Sequence, residues 1–136
     1  MNEVKGFDFE DFMTDESLEV EGVWRPFGKN ARIKLARWEN TNHERLTRKK
    51  AMAEKEVLQA EDDISAETVK RINIEVMAHT IIKGWEGINL KGEPLPFSIT
   101  NALMLLQNKT FREKIKGMCD NIDHYKAKVV DDGLKS

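Results

Sequence analysis

Lys83 to Thr110, Lys-Gly-Trp-Glu-Gly-Ile-Asn-Leu-Lys-Gly-Glu-Pro-Leu-Pro-Phe-Ser-Ile-Thr-Asn-Ala-Leu-Met-Leu-Leu-Gln-Asn-Lys-Thr, is the longest stretch where Gly, Pro and Trp crowd together. Segments of helical periodicity flank it on both sides. Gly84, Gly87 and Gly92 can take a positive φ, and Pro94 and Pro96 withhold backbone donors and push the residue before each out of the helical region. The helix that arrives here is therefore expected to stop near Lys83. Asn89 to Glu93 reads as a tight turn between two short extended pieces, because Ile88 and Leu90 before it and Leu95 and Phe97 after it alternate with other residues. Ser98 stands at an N-cap position, and Ile99, Leu103 and Leu106 follow at helical spacing.

Upstream, residues 65–83 carry Val69, Ile72, Val76 and His79 on one stripe and Ile74, Met77, Ala78, Ile81 and Ile82 on another, which Trp85 continues just past the end. Apolar residues on more than one face mark this as the central helix. Ser65 caps it, with Glu67 in the first turn where the helix dipole favours an acid. Before it, Asn40 or Thr41 opens a helix over about 41–61 whose apolar stripe, Leu46, Ala53 and Val57, is thin. Such a helix touches the body only partly, and Asp62-Asp63 ends it.

Residues 20–38 change character. Val23, Arg25 and Phe27 alternate with Trp24 and Pro26, Gly28-Lys29-Asn30 supplies a turn, and Ala31, Ile33 and Leu35 alternate with Arg32, Lys34 and Ala36. The pattern predicts a β-hairpin with Pro26 at an edge or a strand end. A hairpin is marginal alone and needs a helix beneath its apolar face. Residues 1–18 are acidic with Phe7, Phe9, Phe12 and Met13 threaded through them, which fits either a flexible segment awaiting a partner or a tail whose phenylalanines tuck against the body. From Arg25 to Lys50 the charge inverts. That basic run reads as a nucleic-acid patch with Trp24, Phe27 and Trp38 as stacking groups, or as solvated hairpin and helix faces with the aromatics in the core. The second reading is favoured, because the cations are spread over two kinds of element. A third reading folds the acidic segment back on the basic face, within the chain or on a neighbouring subunit.

Downstream, residues 98–107 form a short apolar helix, and Thr110 is the expected N-cap of a last helix over 110–128. Phe111, Ile115, Met118, Ile122 and Tyr125 recur there at steps of four and three, the cleanest amphipathic stripe in the chain. It serves either for packing on the central helix or as a surface for another helix, from a partner or a second copy. Residues 129–136 carry no structural signal.

The chain has 136 residues, 34% of them charged and 40% hydrophobic, with a net charge of −2. This predicts a mainly α fold: one helical domain over 19–128, with about four helices and a small N-terminal β-hairpin. The acidic balance argues against wholesale nucleic-acid binding. The longest uncharged run, Pro94 to Asn108, is too short and too broken by proline to span a bilayer, which needs about 20 apolar residues. No export signal is visible at the N-terminus, so a cytoplasmic location is expected. Cys119 is the single cysteine. It falls on an apolar helix face and reads as a small buried hydrophobe. His43, His79 and His124 lie on separate segments, and no phosphate-cradling loop or nucleophile motif appears; His124 near Asp120 and Asp123 suggests a metal pair, but on a helix such neighbours read rather as ordinary surface polar residues. No enzyme, cofactor or metal is expected, and His79 reads as a core-edge residue bonded to backbone. A binding protein is left, and composition does not say of what.

Gly84-Trp85-Glu86-Gly87-Ile88, then Gly92-Glu93-Pro94-Leu95-Pro96-Phe97-Ser98, then Asn101-Ala102 and Leu105-Leu106, resemble the central signature of tail assembly chaperones from long-tailed (siphovirus) bacteriophages. Gly22-Val23-Trp24-Arg25-Pro26-Phe27, followed by Ile33-Lys34-Leu35-Ala36-Arg37, is similar to the N-terminal hairpin of that family. The likeness runs from Glu19 to Tyr125 in matching order. It implies a non-catalytic protein of the host cytoplasm that binds the long, aggregation-prone tape measure protein and keeps it soluble. It also implies help for tail tube polymerisation and absence from the mature virion. In many members a programmed frameshift adds a C-terminal extension that recruits the tube protein, and Val129 to Ser136 is compatible with a linker into one. Under this reading the client site is expected on Phe111, Ile115, Met118 and Ile122, or around Trp85 and Phe97, although the hinge residues serve structure equally well. The rival expectation is a small nucleic-acid-binding or regulatory adaptor using residues 25–50.

Overall fold

The core is built around α3 (Ala66–Thr80), which buries Ile72, Ile74, Val76, Met77, Ala78 and Thr80. In the computed structural model of the chain, residue 6, residues 8–57 and residues 64–126 are described. Ser65 caps α3 as expected, its hydroxyl accepting from the Thr68 amide at 3.1 Å. The helix ends three residues earlier than the glycines alone suggested. Thr80, Ile81 and Ile82 are all β-branched and favour extended backbone, and an unpaired strand edge lies beside them.

That edge belongs to the hairpin. β1 (Val23–Pro26) and β2 (Arg32–Leu35) are antiparallel, with Pro26 at the end of the outer strand. Gly28 and Asn30 turn the chain with φ of 78° and 63°. The residues after α3 form β3 (Ile82–Glu86), giving a three-stranded sheet ordered β1-β2-β3. Ile33 lies opposite Trp85, and Lys34 opposite Gly84. Gly84, read as a helix breaker, is thus an ordinary strand position with negative φ. Ile33, Leu35, Ile82 and Trp85 face α3 and are buried. Each such side chain stabilises the fold by about 1.5–3 kcal/mol.

After the sheet, β4 (Asn89–Leu90) and β5 (Glu93–Pro94) form the small extended pair foreseen around the turn. α4 (Ile99–Leu106) follows, capped by the Ser98 hydroxyl, which accepts from the Asn101 amide at 3.0 Å. α5 (Lys109–Cys119) comes next. Its cap is Asn108 and not Thr110: the Asn108 carboxamide oxygen accepts from the Phe111 amide at 2.9 Å, and Asn is a stronger N-cap than Thr. α5 stops at Cys119 rather than running toward 128. Asn121 caps a separate 3-10 turn, Ile122–Tyr125, by accepting from the Asp123 amide. Tyr125 is then drawn inward, its hydroxyl donating to the Leu35 carbonyl at 3.1 Å.

α2 (Thr41–Val57) begins at Asn40, whose side-chain oxygen accepts from the amides of Asn42 and His43. Of its expected stripe Leu46 is half-buried and Ala53 exposed, and two ion pairs join the helix to α3: Lys50 meets Glu75, and Arg71 meets Glu54. The break expected at Asp62-Asp63 and the tail over 129–136 lie outside the described residues.

The acidic N-terminal segment contains a helix the sequence did not announce, α1 (Glu16–Glu21), preceded by a 3-10 turn over Phe9–Phe12. Six residues cannot sustain a helix on propensity alone. This one is held by its neighbours. The Asp15 amide donates to the Tyr125 carbonyl at 2.8 Å, Thr14 pairs with Lys126, and Arg37 donates to the Glu19 carboxylate at 2.8 Å. The Thr14 hydroxyl donates to the same carboxylate. The acidic segment does fold back on a basic residue of its own chain, at Arg37.

Candidate partner-binding surface

The hinge residues Trp85 and Phe97 are occupied with each other. Trp85 is 6% exposed. Its indole N–H donates to the Leu95 carbonyl at 2.7 Å, and the Phe97 ring meets it edge to face at 5.1 Å. The Asn101 carboxamide donates to the Pro96 carbonyl, tying the Pro-Leu-Pro run to the start of α4. Gly87 explains its own place in the signature: at φ 81°, a Cβ there would lie 2.3 Å from the Asn30 carbonyl oxygen. The hinge thus packs directly on the hairpin turn.

The α5 stripe is likewise turned inward. Ile115 is completely buried in the core cluster with Ile33, Met77 and Leu106. Phe111 and Met118 are half-buried against that cluster, and Phe111 places its ring 5.8 Å from Phe27. Ile122 sits half-buried in the 3-10 turn, beyond the break in the helix. Of the six residues expected to bind a partner, the structure seats Ile115 and Trp85 in the core and leaves none fully exposed. An apolar stripe on one face of a helix is what a core needs for closure.

An open apolar surface lies instead between α3 and α4. A groove of about 510 Å³ is lined by Ile74, Leu103 and Gln107, with Glu67, Lys70, Arg71 and Glu75 on its α3 wall. At about 100° per residue, Ile99 and Met104 fall on either side of Leu103 and Gln107 on the outer face of α4. Both are exposed. The sequence carried a signal for this surface. Six of the eight residues of α4 are apolar, and so short a helix cannot turn apolar residues on all sides toward one core.

Three cations of the basic region, Arg32, Arg37 and Lys50, are engaged by carboxylates of the chain. Arg32 makes two hydrogen bonds to Glu86, at 2.9 and 3.1 Å, and lies 4.0 Å over the Trp24 ring. The hydrogen bond with Arg32 holds the Glu86 carboxyl below its ordinary range. Arg37 and Lys50 pair with Glu19 and Glu75. Phe27 and Trp38 pack against the core, and Trp38 lies between the His43 ring at 4.5 Å and the Lys116 ammonium at 5.0 Å. Arg45, Arg48 and Lys49 remain exposed along α2.

The titratable groups with chemical potential are sheltered. Burial pushes the Cys119 thiol up to about 12, which leaves almost no thiolate at neutral pH. His43 is buried, and among the described residues neither ring nitrogen has a hydrogen-bond partner. Burial lowers its pKa against the opposing pull of Glu39 and Glu44. His79, read as a core-edge residue, is exposed; its Nδ1 lies 3.3 Å from the Glu75 carbonyl. Among the described residues, no group of three or more His, Cys, Asp and Glu side chains is placed to hold a metal ion. No helix among them is long and apolar enough to cross a membrane.

No curated protein and no solved structure matches the chain. A family profile does match, over residues 37–136, covering the hinge, α2 to α5 and the core they build. That span is most of the sequence and includes the stretch from which the fold was read. The chain is phage-derived and belongs to the YdaY prophage protein family.

Proposed function

We propose that this chain is a non-catalytic tail assembly chaperone of a long-tailed phage. In this reading it binds the tape measure protein in the host cytoplasm, keeps it soluble, promotes tail tube polymerisation around it and leaves before the virion is complete. The tube protein is recruited through a frameshifted C-terminal extension. One observation carries the reading. The segment that resembles the chaperone signature delivers α4, and α4 keeps Ile99 and Met104 exposed beside the groove on α3. A client helix can lay its apolar face along Ile99, Leu103 and Met104 while its polar flank meets Lys70, Arg71 and Glu75. An apolar strip rimmed by charge is the kind of surface that exchanges contacts with a client and still stays soluble alone.

The test is co-expression with the large tape-measure-like protein that this reading expects to be encoded just downstream, followed by a solubility assay and pull-down. Wild-type protein should render that client soluble and co-purify with it. The double variant Ile99→Glu/Met104→Glu should lose the client while keeping its thermal unfolding midpoint. A well-folded wild-type chain that leaves the client insoluble and unbound would overturn the proposal. A nucleic-acid-binding adaptor is the second reading, and the exposed Arg45, Arg48 and Lys49 favour it. It predicts retention on a DNA or RNA column with steep salt dependence.

A further inference from the structure

Two exposed surfaces of opposite charge are left over by the fold. The first is the outer face of α2. Arg45, Arg48, Lys49, Met52 and Lys55 recur at helical steps and are exposed, with Met52 59% exposed at the centre of the stripe. Lys50 and Glu54, on the opposite face, are taken up by Glu75 and Arg71 of α3. Arg45 bonds only to the Asn42 side chain, and Arg48, Lys49 and Lys55 make no ion pair among the described residues. Glu44 flanks the stripe and Glu56 falls within it, one turn beyond Met52, and the four cations against these two carboxylates leave the face net positive.

The second is the 3-10 turn before α1. Phe9 is 72% exposed and Met13 57% exposed, and the Phe12 ring stands edge to face with Phe9 at 6.1 Å. Asp8, Glu10 and Asp11 surround them, all exposed. The turn is built and fixed in place. The Asp8 carboxylate accepts from the Glu10 amide, the Met13 amide donates to the Glu10 carbonyl, and Asp15 is anchored on Tyr125. Phe9 and Met13 therefore hold apolar surface in water that a partner would bury.

We propose that the acidic aromatic turn of one chain docks on the basic α2 stripe of a second copy. The complementarity is specific in kind as well as in sign. Aromatic faces suit Arg and Lys, ring edges suit the Met52 sulfur, and Asp and Glu suit Arg48 and Lys49. A nucleic acid would use the stripe and leave Phe9, Met13 and the carboxylates without a role, whereas a second copy uses both surfaces. The contact joins unlike surfaces. Two copies can exchange it reciprocally and close, or repeat it along a row. The inference stands independently of what occupies the α3–α4 groove.

The test is sedimentation velocity and light scattering on the full chain across concentration and salt. Wild-type protein should gain mass with concentration at low salt and lose it as salt screens the contact. The knob reversal Glu10→Lys/Asp11→Lys and the stripe reversal Arg48→Glu/Lys49→Glu should each weaken self-association at least tenfold. Circular dichroism should show both variants folded, since all four side chains are exposed. Mixing the two variants should restore association, because each supplies the surface that the other now complements. A wild-type chain that stays monomeric at high micromolar concentration in low salt would overturn the proposal, as would association indifferent to both reversals. Salt-sensitive retention of a monomer on nucleic acid, abolished by the stripe reversal, would overturn it in favour of a nucleic-acid partner.

Discussion

α5 and α4 are consecutive helices packed on the same core, and they use their apolar residues in opposite ways. α5 keeps them to one stripe, and the stripe is consumed: Ile115 and Cys119 are fully buried, and Phe111 and Met118 lean on the same cluster. α4 is apolar nearly all round, buries Ala102 and Leu106, and leaves Ile99 and Met104 in solvent. Periodicity reports which face is apolar; it does not report what covers that face. A one-sided helix closes a core. A helix with apolar residues on every side in a domain this small has a surplus, and the surplus is where a partner can attach.

The difference can be broken most forcefully at Ile115. Ile115→Lys would bury an amine without a partner, which costs several kcal/mol even when the lysine gives up its proton, a large share of the reserve of about 5–15 kcal/mol. The variant should fail to give a cooperative urea transition. If it folds and merely loses a partner, the stripe is a binding surface after all and the contrast with α4 collapses.

Gly87→Ala should come second. The added methyl meets the Asn30 carbonyl oxygen, and the positive φ is unfavourable for Ala. A loss of about 1–3 kcal/mol is expected, read as a lower urea midpoint with unchanged slope. A loss confined to client binding would mean that the hinge does not position α4 through the hairpin turn.

His43 gives a smaller, pH-dependent effect. It packs on Trp38, whose amide donates to the Cys119 carbonyl at the end of α5. Because burial lowers its pKa in the folded state, the unfolded chain binds the extra proton first. Its contribution is therefore complete above the ordinary histidine value of about 6.5 and is lost as pH falls through that value toward the lower folded one. Thermal unfolding of wild type and His43→Gln between neutral and mildly acidic pH should show a steeper acid loss in wild type. Parallel curves would show that the ring accepts its proton without cost.

Met104→Glu should be the mildest for stability, within about 0.5 kcal/mol of wild type, because the side chain is already exposed. Calorimetry checks that, and the pull-down described above checks its effect on the client. A large destabilisation would move Met104 from the surplus to the core.

Much of the local architecture was legible in the residues. Asn40, Ser65 and Ser98 cap helices because their side chains can accept from amides that a helix start leaves unpaired. Gly28 and Asn30 turned the hairpin, and Gly92 and Pro94 closed the small extended pair, since few residues suit those backbone angles. The apolar character of α4 was legible in the residues as well; that it leaves an open surface depends on what the core covers.

What the sequence could not decide was which element covers which. Ile82 to Glu86 became a strand because β2 offered an unpaired edge, and that edge exists only once the hairpin and α3 are folded together. α1 holds because Tyr125 and Arg37 come to it from far along the chain. Ile115 and Trp85 were identified as apolar by the sequence alone, but only the tertiary structure showed them spent on the core. Caps, turns and periodicity are short-range and are set by neighbouring residues; coverage is long-range, and it is fixed only when distant segments compete for the same buried surface.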